Sequence, residues 1–221
     1  MSINKDILEI DKFREVFLKY TREAFQLIPK IEKPTILDVG CGTGVPTIEL
    51  AKISKGDLIA IDKNAEDLEK LDEKIGKEKL SNQIKTMQVS LLKNNFDDNF
   101  FDIIWAEGVI HVIGFEKGFK ACYRILKPNG YLVLNEAIKK ISPLLDSLKT
   151  FGYKKCKVLK LPEGSWWNEF YNPLEQKIIN LLKKDPNLKK DKEIIRYQQE
   201  IEMVKPNPKS FDSAFYILKK V

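Results

Sequence analysis

The 221-residue chain has one histidine, His111, and three cysteines, Cys41, Cys122 and Cys156, which lie far apart and form no CxxC pair. A structural zinc site needs four nitrogen or sulfur ligands in close groups, so this supply argues against a metal centre and against a disulfide framework. The three thiols read as small, reduced, buried residues. Long hydrophobic runs are missing too: no stretch approaches the roughly 20 apolar residues that cross a bilayer, so no membrane association is expected. The opening MSINKDILEIDKFREVF sets acids among its apolar residues and lacks the continuous core of a secretory signal, which makes the cytoplasm the expected location. Charge of a single sign is absent as well. The 38 basic and 32 acidic residues are interspersed and leave a net +6, the pattern of a solvated surface rather than of a nucleic-acid footprint.

What the chain does have is a 43% hydrophobic content, enough for the core of one α/β domain. Its apolar residues come as short strands alternating with amphipathic helices, the signature of βαβ units and a parallel sheet. Strands are expected at Thr35–Val39, Leu58–Asp62, Ile84–Val89, Phe101–Ala106 and Tyr131–Glu136, with helices over Val45–Ile53, Ala65–Lys74 and Phe115–Ile125. Lys127-Pro128-Asn129-Gly130 reads as a turn, proline fixing φ and glycine permitting a positive one. Pro143–Phe151 reads as helical, and Lys155–Leu161 and Phe211–Lys219 as the closing strands. The expected organisation is a single domain: a helical segment over 1–30, a core of 34–161 plus 210–221, and a cap inserted at 162–208 between the last two strands. In the first segment Phe13, Val16, Phe17, Tyr20, Ala24 and Leu27 recur at mainly three- and four-residue spacing, as on one amphipathic helix that packs on the sheet edge or covers a ligand.

The run ILDVGCGTG, Ile36 to Gly44, takes an apolar strand into a glycine loop and then a helix, which places a ligand at the carboxyl edge of a parallel sheet. Glycines there let a ligand approach the backbone. Asp62 ends the next strand eighteen residues after Gly44, where an acid accepts hydrogen bonds from ribose hydroxyls. A nicotinamide dinucleotide site shares that outline, but the spacing here is GxGxG, and Val45 stands where the third glycine of GxGxxG would be. Asp38 beside the loop would also repel a pyrophosphate, whereas S-adenosylmethionine carries an ammonium and a sulfonium and no phosphate. Charge favours the methyl donor over an NAD-dependent oxidoreductase.

From Ile36 to Glu136 the chain resembles the class I methyltransferases through four landmarks in order: ILDVGCGTG, the acidic end of LIAID, FDIIWAEGVIHVIG, and ILKPNGYLVLNE. The resemblance implies a Rossmann-like, mostly parallel seven-stranded sheet with helices on both faces and an antiparallel last strand. It also implies that Asp38, Gly40, Cys41, Gly42 and Gly44 surround the methionine part of S-adenosylmethionine, that Asp62 binds the ribose and that Lys63 flanks the adenine. The acid that many members use against the adenine amino group falls on Ser90, followed by Leu91, and Ala106 and Glu107 would face the methyl-bearing end. EGVIHVIGFEKGF and LPEGSWWNEFYNPLE further resemble small microbial methyltransferases with a carboxy-terminal cap, which names no substrate.

Methyl transfer from a sulfonium is an in-line displacement in which positioning supplies much of the rate, and a base helps where the acceptor must lose a proton. Glu107 and His111 follow the fourth strand and are the candidates, able to pair if Val109–Ile113 begins a helix; local capping or packing is the plain alternative. Trp166, Trp167 and Tyr171, with Phe170 and with Tyr20 from the first segment, offer an apolar acceptor pocket or ring faces for a cation, or else anchor the cap. Asn135 and Glu136 at the end of the fifth strand are weaker acceptor candidates. The expected partner is a small-molecule acceptor, with S-adenosyl-L-homocysteine as co-product. An RNA or tRNA methyltransferase is the second reading, yet neither an NPPY-like motif nor a Pro-Cys pair is present. A third is a non-catalytic protein that binds the donor.

Overall fold

A computed structural model describes residues 7–221, so the first six residues of the segment read as helical lie outside the described residues. The single amino-terminal helix expected from the spacing is two, α1 (Ile10–Glu15) and α2 (Leu18–Gln26). A tight turn in which the Phe17 amide donates to the Arg14 carbonyl at 3.0 Å separates them. The apolar stripe is divided because its two ends serve different cores. The fold has two compact units, one of Leu18–Lys160 with Ser213–Val221, the other of the described residues through Phe17 with Leu161–Asp212.

The first unit is built on a seven-stranded sheet: β1 (Thr35–Val39), β2 (Asp57–Asp62), β3 (Ile84–Gln88), β4 (Phe101–Glu107), β5 (Leu126–Ala137), β6 (Tyr153–Lys160) and β7 (Ser213–Lys220). Their order is β3-β2-β1-β4-β5-β7-β6, and β7 runs antiparallel to both of its neighbours while the pairs from β3 to β5 are parallel. This is the Rossmann-like arrangement expected from the sequence. Ile36, Leu37, Asp38 and Val39 are all buried, and since successive strand residues point to opposite faces, both faces of the sheet are covered there.

Between the strands run α3 (Val45–Ser54), α4 (Ala65–Lys77), α5 (Ile110–Ile113), α6 (Phe115–Ile125) and α7 (Ile138–Ile141). The Asn64 side chain caps α4 by accepting from the Glu66 amide, and Glu66 and Asp67 in its first turn and Lys74 and Lys77 in its last suit the helix dipole. Phe119, Cys122 and Ile125 bury the inner face of α6. The expected turn before the fifth strand is an excursion within β5 between the pairs Phe101↔Leu126 and Ile103↔Tyr131. Asn129 rather than Gly130 takes the positive φ, 63°. Gly130 is needed for room, because a Cβ there would lie 2.9 Å from the Asp102 and Lys127 carbonyl oxygens. The segment read as helical is a 3₁₀ helix, Ser142–Phe151, with the Ser147 and Thr150 hydroxyls donating to carbonyls three residues back. At the far end of β7 the Lys220 ammonium donates to Asn99 Oδ1 and to the carbonyls of Tyr123 and Leu126 at 2.7–2.8 Å.

The second unit contains α1, a π-helical turn at Trp166–Tyr171, α8 (Asn172–Lys184) and α9 (Lys192–Val204). Phe170, Leu174, Ile178, Ile194, Tyr197 and Ile201 form its interior. Among the described residues no helix is long and apolar enough to cross a membrane, and no group of His, Cys, Asp and Glu side chains is placed to hold a metal ion.

Candidate functional site

The glycine loop leaves β1 at Val39 and is tied to β2 by the amides of Gly40 and Cys41, which donate to the Ile61 carbonyl at 2.8 and 3.1 Å. From α4, the Lys74 ammonium donates to the Thr43 carbonyl at 2.7 Å. The glycines of the loop differ in what they face. A Cβ on Gly40 would lie 2.6 Å from Val109 Cγ2 and one on Gly44 2.1 Å from Leu71 Cδ1, whereas a Cβ on Gly42 would meet nothing within 4 Å. Gly40 and Gly44 are therefore small for packing, and Gly42 borders open space.

Three carboxylates gather round this loop. Asp62, at the carboxyl end of β2, accepts from the Gly42 amide on Oδ2 and from the Asn64 amide on Oδ1, each at 2.9 Å. That bracing fixes the side chain while each oxygen keeps a lone pair for a further donor. Asp38 is 3% exposed and accepts from the Thr47 hydroxyl at 2.6 Å. Burial pushes its carboxyl up to about 7 against the opposing pull of that hydrogen bond, and the negative charges of Glu107 and Asp62 push the same way as burial. Glu107 ends β4, where its Oε1 accepts from Trp105 Nε1 at 2.7 Å and from the Thr21 hydroxyl of α2 at 3.1 Å.

His111 does not pair with Glu107 as its position at a helix start suggested. Its partner is Glu136 on β5, 2% exposed: His111 Nδ1 lies 2.8 Å from Oε2, and the His111 backbone amide donates to Oε1 at 3.1 Å. The reason is local. Glu107 is taken up by Trp105 and Thr21, and the single turn of α5 directs the imidazole to the end of the neighbouring strand.

The other expected residues are placed as follows. Lys63 is exposed, with its carbonyl accepting from Gln88 Nε2 at 3.1 Å. The Ser90 hydroxyl accepts from the Leu92 amide at 3.2 Å, which starts a short 3₁₀ turn, and Leu91 and Ala106 are buried. Burial drives the Cys41 thiol well above the ordinary range. Tyr20 is buried in α2, next to Thr21. Trp166, Trp167 and Tyr171 belong to the second unit. There Trp166 stacks on Phe17 at 4.3 Å, Tyr171 meets the edge of Phe170 at 4.9 Å, and Trp167 has the Lys205 ammonium 5.9 Å from its ring centre. Sequence reasoning missed Thr47, Trp105 and Thr21. The two-residue strand period puts Trp105 and Glu107 on one face and would have found the first contact of Glu107, while nothing local links Thr21 to a carboxylate 86 residues away.

Residues 37–134 match the family described as "Methyltransferase domain". Over that span the chain is similar to this family. A sterol 24-C-methyltransferase of Aspergillus fumigatus is 31% identical over 96 residues, which are 43% of this chain and 26% of that protein. The chain therefore spans a minor part of the length of that relative. Among solved structures, a protein described as a putative sarcosine dimethylglycine methyltransferase from Galdieria sulphuraria aligns with a TM-score of 0.73 at 16% identity, covering 94% of this chain and 87% of the other. A methyltransferase from Geobacter sulfurreducens, solved with S-adenosyl-L-homocysteine, aligns with a TM-score of 0.70 at 13% identity over 92% and 90% of the two chains. The matched residues cover the glycine loop and the strands that carry Asp38, Asp62 and Glu107, and these two structures share the fold of the chain.

Proposed function

We propose that the protein transfers the methyl group of S-adenosylmethionine to a small-molecule acceptor and releases S-adenosyl-L-homocysteine. The observation that carries this is the open space at Gly42 beside the carboxylates of Asp38, Asp62 and Glu107. Three acids suit a ligand with an ammonium and a sulfonium and oppose a pyrophosphate, so the donor fits where NAD does not. In this reading Asp38, Gly40, Cys41, Gly42 and Gly44 hold the methionine part, Asp62 takes the ribose, Lys63, Ser90 and Leu91 border the adenine, and Ala106 and Glu107 face the methyl. When bound, the donor supplies an electrophilic carbon whose bond to sulfur breaks as the acceptor attacks in line. The protein's part is to hold the two reactants on that line. Glu107, held by two donors on one oxygen, serves the donor side, and His111 takes the acceptor's proton.

Calorimetry with S-adenosylhomocysteine and NAD in parallel tests the reading. Binding of the first alone is expected, and binding of NAD alone would overturn it. Asp62→Ala should weaken S-adenosylhomocysteine binding by about 1–3 kcal/mol, the range for a lost charge-assisted hydrogen bond. Unchanged affinity would remove Asp62 from the ribose.

A further inference from the structure

We infer that Glu136 is a positioning residue that fixes His111 in one tautomer as the proton acceptor, and that the acceptor substrate is a neutral nucleophile bearing a proton on its attacking atom. This rests on the methyl-transfer reading above. The inference begins with the two contacts of the Glu136 carboxylate, to His111 Nδ1 at 2.8 Å and from the His111 backbone amide at 3.1 Å. An ionised carboxylate only accepts hydrogen bonds, so Nδ1 must carry the hydrogen. In the neutral ring Nε2 then holds the lone pair, which makes it the basic atom. Among the described residues no hydrogen bond engages Nε2, and the side chain keeps 28% of its surface exposed while that of Glu136 keeps 1%. A buried carboxylate behind a partly exposed imidazole has the geometry of a base with its orienting group.

The dyad lies beside the donor loop. Val109, two residues before His111, is the residue that a Cβ on Gly40 would strike at 2.6 Å. The Gly108 amide donates to the Asn135 carbonyl at 2.8 Å, which binds the segment to the strand end that carries Glu136. In the step itself the acceptor's heavy atom forms a bond to the methyl carbon, the carbon–sulfur pair stays on sulfur, and the acceptor's proton passes to Nε2 and from there to solvent. Alcohols, phenols and amines meet that description. An acceptor that attacks as a preformed anion has no proton for the dyad to take.

The bidentate grip makes Glu136→Gln informative. If the amide oxygen accepts from the His111 backbone, its NH₂ faces Nδ1 and forces the hydrogen onto Nε2. The opposite flip sets NH₂ against the backbone N–H. That second flip keeps an acceptor on Nδ1 but at the cost of two opposed donors, so the first is favoured and in it the native tautomer loses its support.

His111 is the only histidine, so nitrogen-15 NMR of histidine-labelled protein reads this one ring without assignment. At about pH 8.5, well above the ordinary imidazole pKa of about 6.5, the wild type should show protonated Nδ1 and bare Nε2, and Glu136→Gln should shift the ring towards the other form. Protonated Nε2 in the wild type, or an unaltered tautomer in the variant, would overturn the inference. S-adenosylhomocysteine release from S-adenosylmethionine with a panel of phenols, alcohols and amines supplies the kinetic arm. With any acceptor turned over, His111→Gln and Glu136→Gln should each lower kcat on the order of 10²–10⁴-fold, and the double variant should be no slower than His111→Gln. Wild-type kcat in Glu136→Gln would also overturn it. Affinity for S-adenosylhomocysteine, measured on the same samples, should be unchanged in both variants. Its absence in the wild type would instead sink the donor reading and leave the tautomer result intact. If Glu136→Gln fails to fold, the wild-type tautomer and the His111→Gln rate still decide.

Discussion

Asp38 joins the chemistry of one residue to the behaviour of the site. Its carboxyl is pushed up to about 7, so it is half protonated near neutral pH and, in the proposed donor site, should hold a cationic ligand best when ionised. Affinity for S-adenosylhomocysteine should rise with pH between about 6 and 8, by at most about tenfold per unit, and binding near pH 7 should release a fraction of a proton. Calorimetry in two buffers of different ionisation enthalpy measures that release, and Asp38→Asn should abolish it. An equal proton count in wild type and variant would assign the effect elsewhere. The stability effect has the sign set by a raised folded-state value. Asp38 favours the fold below the ordinary carboxylate range, from its starting value of 3.8, and that contribution is lost as pH rises through about 7. Urea unfolding of the unliganded protein should therefore show Asp38→Asn gaining on the wild type across this window.

At the scale of the strand–loop–helix element, two neighbouring glycines should respond differently to one added methyl. Gly44→Ala places a Cβ 2.1 Å from Leu71 at φ 78°, so it should lower the melting temperature sharply. Gly42→Ala meets no protein atom within 4 Å but does so at φ 52°, with a strain cost of about 1 kcal/mol. Its larger effect should be on S-adenosylhomocysteine affinity, and a folded variant with wild-type affinity would show that the donor does not pass Gly42. Much of this element was legible in the sequence, because β1, the glycines, α3 and Asp62 are contiguous or one strand apart and local rules govern each. The bracing of Asp62 by the Gly42 amide and the burial of Asp38 against Thr47 depend on close packing, which residue spacing does not encode. The same limit explains the partner of His111. Helical spacing proposes Glu107, four residues away, while Glu136 is 25 residues away and is brought near by strand pairing. The amino-terminal segment failed for another reason: three- and four-residue periodicity does not reveal that one apolar stripe is shared between two cores.

Across the whole molecule, the alternation of strands and helices was enough to place seven strands, and the last of them runs antiparallel as expected. β7 is the keystone of that sheet. It separates β5 from β6, and Lys220 is tied at its end to carbonyls of Tyr123 and Leu126. Removing residues 213–221 should leave no cooperative thermal transition, and a sharp transition in the shortened chain would show that the sheet stands without its filler strand. At the outer edge β6 exposes Lys154, Lys155, Lys157 and Lys160, charges that discourage pairing with another sheet. The position of β7 also bears on synthesis at the ribosome. β5 and β6 emerge first and have to wait, with their facing edges unpaired, while all of Leu161–Asp212 is translated. A nascent chain in that interval exposes two strand edges that could zip together wrongly, which makes it a natural client for a chaperone that shields extended apolar backbone.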